Sequence, residues 1–380
     1  MTQIHGTVAP GFEPVQAAFA ANFAQGLESG ASVAVTKDGE FVVDLWAGDA
    51  GPDGRPWQQD TLVNVYSTTK TMAAMSILLL ADRGLLDLQA PVARYWPEFA
   101  QNGKSQITVA HIMSHSAGLS GFAPPLENIE LLYDWNAICT RLAAMEPWWE
   151  PGTAIGYHAL TQGYLQGEIV RRVDGRSLGN FFREEIAQPL GADFHIGLDP
   201  QHDQRVGELI PPKSGIAGNP SLDPSTIAGR TFTSANITGE EPRTRAWRAA
   251  EIPAAGGMGN ARSVARVHSA LACGGTVDDV RIMSEAGVER ALEEQARGLD
   301  MALGVPIVFG NGFGINDKAF PISPNKRAMF WGGWGGSLAI IDLDARVSIA
   351  YVMNKMEAGL VGDRRGANVA MATYAALMNR

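Results

Sequence analysis

Strand-forming sequence is concentrated at the two ends of this 380-residue chain, and this limits the folds that it can adopt. Residues 31–36 and 41–46 are rich in β-branched and aromatic residues, and they flank Asp38-Gly39, a dipeptide typical of tight hairpin turns. Similar segments return late in the chain, at residues 312–315, 328–331, 337–342 and 347–353. Since the middle lacks such segments, we expect both ends to lie in one antiparallel sheet.

The middle of the chain has the pattern of helices joined by long loops. Helical spacing of apolar residues predicts helices over residues 109–114, 128–145, 160–173, 178–189 and 261–272, and two more over 13–29 and 366–378 that would flank the sheet. Residues 207–252 lack this spacing and are rich in Pro, Gly, Ser and Thr, so we expect them to line a cleft. The predicted fold is α/β plus all-α, with an α/β domain from residues 1–75 and 276–380 and an inserted helical domain over 76–275.

Composition excludes several function classes. A net charge of −10 and a pI near 5.2 argue against a nucleic-acid surface. The N-terminus lacks the basic and apolar regions of a secretory signal, and the apolar runs are too short to cross a membrane, so a cytoplasmic protein is expected.

Cys139 and Cys273 lie in apolar surroundings and are predicted to be buried thiols, and no metal or cofactor is expected. The oligomeric state is left open.

One short motif offers a catalytic nucleophile. Ser67 and Lys70 are three residues apart and precede the apolar run 72–80, which has helix-forming composition. Three residues apart on a helix, the two side chains would share a face. A lysine with a pKa lowered by burial could then remove the proton of the serine hydroxyl. Two fixed positions recur by chance, so a plain helix cap with a solvated lysine is the alternative.

A second serine motif has the wrong context. Residues 175–179 read Gly-Arg-Ser-Leu-Gly, which matches the Gly-x-Ser-x-Gly of many hydrolases. That motif requires a strand before the serine, whereas residues 164–173 have a helical pattern. Ser177 is therefore predicted to be the N-cap of the next helix, not a nucleophile.

Two other segments could complete a site at Ser67. Tyr157 follows a Pro-Gly turn and could relay protons, although the residues alone favour a partly buried structural tyrosine. Residues 331–336 read Trp-Gly-Gly-Trp-Gly-Gly within a strand pattern, where glycines allow a ligand close to the backbone and an N–H group there could form an oxyanion hole. His111 and His115 are predicted to be structural, bonding the backbone near the cleft.

Together these segments resemble the serine β-lactamase-like superfamily, in its class C branch, and most closely the family VIII carboxylesterases. The matching segments, in chain order, are Ser67-Thr-Thr-Lys70, residues 107–119, Glu150-Pro-Gly-Thr-Ala-Ile-Gly-Tyr-His-Ala159, residues 256–262 and Trp331-Gly-Gly333. The resemblance implies a β-lactamase/transpeptidase-like fold. It also implies that Ser67 is acylated, that Lys70 and Tyr157 move its proton, and that the N–H groups of Ser67 and Trp334 bind the oxyanion.

Departures from the β-lactamase pattern concern substrate binding. Trp331 stands where a Lys-Thr-Gly strand has lysine, with Gly332 and Gly333 beside it. Ala159 stands where the tyrosine motif has asparagine, and Phe122 where a substrate-binding glutamine is usual. As substrate contacts, these residues would favour neutral, apolar groups.

The sequence therefore predicts a serine carboxylesterase that hydrolyses small, largely apolar acyl esters. One alternative keeps the same machinery in a β-lactamase or D-Ala-D-Ala peptidase. The other is an acyl-binding protein without hydrolytic activity.

Overall fold

The computed structural model describes residues 2–212 and 222–379. Its strands are β1 (Ile4–Val8), β2 (Gly30–Lys37), β3 (Glu40–Gly48), β4 (Val63–Asn64), β5 (His195–Ile196), β6 (Gly257–Gly259), β7 (Thr276–Val277), β8 (Val280–Arg281), β9 (Ala296–Leu299), β10 (Pro306–Phe309), β11 (Gly314–Ile315), β12 (Ala328–Gly332), β13 (Leu338–Asp342) and β14 (Val347–Met353). Its α-helices are α1 (Glu13–Ala24), α2 (Thr69–Asp82), α3 (Val109–Met113), α4 (Trp135–Ala144), α5 (Thr161–Asp174), α6 (Leu178–Phe182), α7 (Ile227–Thr233), α8 (Arg245–Ala249), α9 (Ala261–Ala272), α10 (Glu285–Leu292) and α11 (Arg364–Met378).

Both ends of the chain form the main sheet, which confirms the predicted architecture. Its strand order is β1-β3-β2-β14-β13-β12-β11-β10-β9, and β14 pairs antiparallel with β2 along its whole length. The β2–β3 hairpin turns at Asp38 and Gly39, both with positive φ, as the Asp-Gly pair predicted. The sequence pattern missed β1, β9 and β10 of this sheet. β1 and β9 are the two edge strands, whose largely exposed faces carry no apolar alternation, and β10 has only four residues.

Helices cover both faces of this sheet. On one face, Phe19 of α1 packs edge-to-face against Tyr351 of β14, and α11 lies beside α1. On the other face, the hydroxyl of Ser32 in β2 accepts a hydrogen bond from the N–H of Ala261 at the start of α9. Thus α9 packs on the sheet although its residues fall within the predicted helical domain 76–275, and that boundary stays a prediction.

Helix α2 is the buried centre of the helical part. Every residue from Thr69 to Ala81 is buried, and the helix contacts α5, α6 and α10. A helix that is apolar on all sides must be surrounded by protein. The residues just before it, 66–68, form one turn of 3-10 helix, so the Ser67 motif is held at the inner end of a fixed element.

The segment 207–252 differs in part from its prediction as a loop. It contains α7 and α8, which are too short to show helical periodicity and begin at the N-caps Thr226 and Thr244. Residues 213–221 of the predicted loop lie outside the described residues.

Two smaller predictions are also answered. Cys139 and Cys273 are free and buried, as expected. Within residues 2–212 and 222–379, no helix is long and apolar enough to cross a membrane.

Candidate active site

Ser67 lies in the 3-10 turn that leads into α2, and it is 8% exposed. The residue before it, Tyr66, has a positive φ of 43°, which is unusual for a bulky side chain and fixes a sharp turn into the helix. The Tyr66 ring packs against Trp334, with ring centroids 5.1 Å apart. This turn presents the Ser67 side chain to a cavity between the sheet and the helical part.

Lys70 contacts the serine, as the three-residue spacing predicted. Its Nζ lies 3.2 Å from Oγ of Ser67, and it donates hydrogen bonds to the carbonyl oxygens of Ala159, at 2.7 Å, and Ala254, at 2.9 Å. Burial holds the pKa of Lys70 well below its usual value of 10.5, so the amine is uncharged more readily than a surface lysine. An uncharged amine has two N–H groups, which the two carbonyls accept, and one lone pair, which faces the hydroxyl of Ser67. This is the arrangement of a general base.

Tyr157 lies beside this pair. Nζ of Lys70 is 4.7 Å from the centre of the Tyr157 ring, and the Tyr157 hydroxyl is buried without a hydrogen-bond partner among the described residues. Burial raises the pKa of Tyr157, against the opposite influence of the nearby Ser67 hydroxyl and Trp331 indole. The side chain is therefore a neutral phenol with an unused O–H group.

A distant carboxyl group fixes the backbone of Tyr157. Oδ1 of Asp300 accepts hydrogen bonds from the N–H groups of Tyr157, at 3.0 Å, Ala302 and Leu303. Asp300 lies 143 residues away, in the loop between β9 and β10, and its side chain is buried. No local pattern marks it, so sequence reasoning missed it.

The predicted oxyanion donors both border the cavity. Neither the N–H of Ser67 nor that of Trp334 has an acceptor among the described residues. Ser337 joins the two segments, because its hydroxyl donates to the carbonyl of Val65 at 2.8 Å and lies 2.9 Å from the hydroxyl of Thr68. A side chain at Gly333 would not fit here, since its Cβ would lie 2.2 Å from the Val65 carbonyl oxygen. Two free N–H groups beside the nucleophile match the needs of a tetrahedral oxyanion.

The cavity at Ser67 is small and mostly apolar. Its free volume is about 50 Å³. Its described lining residues are all uncharged: Tyr66, Ser67, Ser120, Gly121, Tyr157, Ala159, Leu160, Thr231, Phe232, Ser234, Ala235, Ile237, Ala255, Trp334 and Leu360. Five of them come from residues 231–237, so the segment 207–252 does contribute a wall, as predicted.

The predicted substrate contacts separate into two groups. Ala159 lines the cavity, and its carbonyl also holds Lys70. Trp331, Gly332, Gly333 and Phe122 are buried and are not among the described lining residues. Trp331 is 1% exposed and packs against the Tyr157 ring at 5.3 Å, so it shapes the site from behind. Two wall residues were not predicted from the sequence. Ser120 lies two residues before Phe122, and Thr231 lies within the predicted loop 207–252.

The histidines bond to backbone groups, as expected. Nδ1 of His111 accepts from the N–H of Thr108, and Nδ1 of His115 accepts from the N–H of His158 at 3.0 Å. The sequence analysis overlooked His158, whose Nε2 accepts from the N–H of Leu119 and whose pKa is lowered to about 3 by burial. It stays neutral and ties the Tyr157 segment to the neighbouring loop.

Ser177 is a helix N-cap, which confirms the reading of the Gly-x-Ser-x-Gly match as structural. Its Oγ accepts from the N–H of Asn180 and donates to Oε1 of Glu251 at 2.5 Å. It lies outside the cavity at Ser67.

Known proteins resemble this chain over nearly its whole length. A sequence model of the Beta-lactamase family matches residues 19–372. Esterase/beta-lactamase LipL of Mycobacterium tuberculosis is 37% identical over 381 residues, which cover 94% of this chain and 85% of LipL. The crystal structure of a family VIII carboxylesterase aligns with a TM-score of 0.92 and 43% identity, covering 98% of this chain and all 100% of the other. A penicillin-binding protein homologue from Caulobacter crescentus aligns with a TM-score of 0.91 and 42% identity, covering 99% of this chain and 100% of the other.

Proposed function

The chain belongs to the Beta-lactamase family, and we propose that it is a serine carboxylesterase in which an acyl-enzyme forms on Ser67. The single observation that carries the proposal is the environment of Lys70. The amine is buried, it donates hydrogen bonds to two backbone carbonyls, and its Nζ lies 3.2 Å from the hydroxyl oxygen of Ser67. A surface lysine in a chance Ser-x-x-Lys match could also approach the serine, but it would have neither the burial nor the two carbonyl contacts.

The arrangement supports a two-step mechanism. Lys70 takes the proton of Ser67 as Oγ attacks the ester carbonyl, and the N–H groups of Ser67 and Trp334 stabilise the oxyanion. When the intermediate collapses, the bond to the alcohol breaks and the Tyr157 hydroxyl gives its proton to the leaving oxygen. The proton on Lys70 then replaces the one that Tyr157 lost. In the second step a water molecule loses a proton to Lys70 and attacks the acyl carbon, and Ser67 leaves with the returned proton.

The wall of the cavity supports a neutral ester as substrate. Its described lining residues carry no charge that could bind a carboxylate. A β-lactam or a D-Ala-D-Ala peptide carries a carboxylate that would lose its hydration here without gaining a counter-ion. Two of the relatives are named as an esterase/beta-lactamase and a carboxylesterase, which agrees with this preference. The cytoplasmic location suggested by the sequence stays a prediction.

The test compares single variants on chromogenic esters. We expect wild type to hydrolyse p-nitrophenyl acetate and butyrate, Ser67→Ala to lose that activity, and Ser177→Ala to keep it. Labelling of Ser67 by a fluorophosphonate, detected by mass spectrometry, would exclude a protein that only binds acyl groups. Unchanged hydrolysis by Ser67→Ala would refute the nucleophile. Turnover of a chromogenic cephalosporin as fast as the best ester would refute the substrate class.

A further inference from the structure

Two hydroxyl groups meet in the otherwise apolar wall of the cavity. Ser120 is fully buried and Thr231 is 4% exposed, and both border the cavity that contains Ser67. Their side-chain oxygens lie 2.7 Å apart, which is a good hydrogen bond between hydroxyls. Ser120 comes from the loop after α3, and Thr231 lies in α7, so the contact joins two walls of the cleft.

This pair has one hydrogen more than it can use internally. Each hydroxyl supplies one O–H donor, and their mutual bond uses only one of the two. Neither side chain has a second hydrogen-bond partner among the described residues. The nearby Ser234 differs, because its hydroxyl donates to the Thr231 carbonyl oxygen at 2.8 Å and its hydrogen is already in use. A buried O–H without an acceptor is unfavourable, so this one is suited to an acceptor on a bound molecule.

We propose that the Ser120–Thr231 pair is a hydrogen-bond donor subsite that selects esters carrying a second acceptor oxygen, such as an ether or keto oxygen, in the group that fills the cavity. This inference rests on the proposed function, since it concerns the ester that Ser67 attacks. An alkyl group of the same shape would fit the cavity but would leave the O–H unpaired. Discrimination of this kind is stronger than discrimination by size in an apolar pocket.

The experiment uses pairs of esters that differ only by exchange of one CH₂ for an oxygen. In the acyl series, p-nitrophenyl methoxyacetate is compared with p-nitrophenyl butyrate. In the alcohol series, 2-methoxyethyl acetate is compared with butyl acetate. The quantity measured is the ratio of kcat/KM for the oxygen ester to kcat/KM for the carbon ester. Comparing this ratio between the wild type and a variant cancels the intrinsic reactivity of the two esters. The series in which the ratio changes shows whether the acyl group or the alcohol group lies in the cavity.

The decisive variant is Ser120→Ala/Thr231→Val, because either hydroxyl alone could still donate. Removing both partners of a buried hydrogen bond is usually tolerated, and thermal unfolding checks the fold. We expect the ratio to fall about threefold to tenfold in one series, the factor that one neutral hydrogen bond supplies. Ser234→Ala removes a hydroxyl from the same wall and is expected to keep the wild-type ratio. The two single variants then identify the hydroxyl that donates.

A folded double variant with the wild-type ratio in both series would overturn the proposal. A second measurement needs no variant. The wild-type ratio is divided by the ratio of the alkaline hydrolysis rates of the same two esters, and the quotient is expected to exceed one. A quotient of one or less in both series would also overturn it. Neither outcome affects the proposed function, which fails only if Ser67→Ala remains active or a β-lactam is the better substrate.

Discussion

Gly333→Ala offers a sharp test of the oxyanion site, because it adds one methyl group behind the nucleophile. A Cβ at this position would lie 2.2 Å from the Val65 carbonyl oxygen, 2.4 Å from Oγ of Ser337 and 3.2 Å from the backbone nitrogen of Ser67. Real Cβ atoms essentially never approach another heavy atom closer than 3.0 Å, so the two segments must separate by roughly 1 Å. That movement separates the N–H of Trp334 from the N–H of Ser67.

The expected loss follows from this displacement. Loss of one oxyanion donor typically lowers kcat by about 10²–10³, or about 2.7–4 kcal/mol of transition-state stabilisation. The ground-state ester makes a weaker bond to these donors, so KM should change little. Steady-state hydrolysis of p-nitrophenyl acetate gives both constants, and thermal unfolding reports whether the variant remains folded.

Gly51→Ala is the matched control. Its backbone does not have a positive φ, and its nearest neighbour would be the carboxylate at the end of the exposed Asp53 side chain, at 3.1 Å. We expect wild-type kinetics. If folded Gly333→Ala has a kcat within about threefold of wild type, the oxyanion hole is not formed by this strand and the assignment of Trp334 is wrong.

Three further predictions concern the proton relay and the second serine. Lys70→Met should lower kcat by about 10²–10⁴. It should also remove one source of pH-dependent stability: the Lys70 pKa is lower in the folded than in the unfolded protein, so this group makes wild-type stability decline as the pH falls from 10.5 toward that lowered pKa. Unfolding of both proteins measured at several pH values would show the difference. Tyr157→Phe should slow butyl acetate hydrolysis more than p-nitrophenyl acetate hydrolysis, because p-nitrophenolate leaves without a proton; equal losses in parallel assays would contradict its role as acid. Ser177→Ala should keep its esterase kinetics and lose about 1 kcal/mol of unfolding free energy through loss of the cap, and a loss of activity without unfolding would reverse its assignment.

The chemical elements of the site were accessible from local sequence. Three-residue spacing brings Ser67 and Lys70 together on any helix, and a Gly-rich strand allows close approach to the backbone. The helical pattern before Ser177, which is also a local feature, excluded the competing Gly-x-Ser-x-Gly motif. By contrast, Asp300, Ser120 and Thr231 are single residues without a repeating pattern, and they reach the site through contacts between segments far apart in the chain.

The sequence by itself determined the sheet built from both ends and the order of the motifs, because these depend on periodicity and short spacings. It singled out Ser67 as the proposed nucleophile through a family resemblance. Only the tertiary structure decided the protonation states and the walls of the cavity. Burial, which no single segment specifies, lowers the pKa of Lys70 and raises the pKa of Tyr157. It also leaves the buried side chains of Trp331 and Phe122 out of the cavity lining and places a pair of hydroxyls in it. Desolvation is a property of the whole fold, and it sets which groups can exchange protons and which part of a substrate they meet.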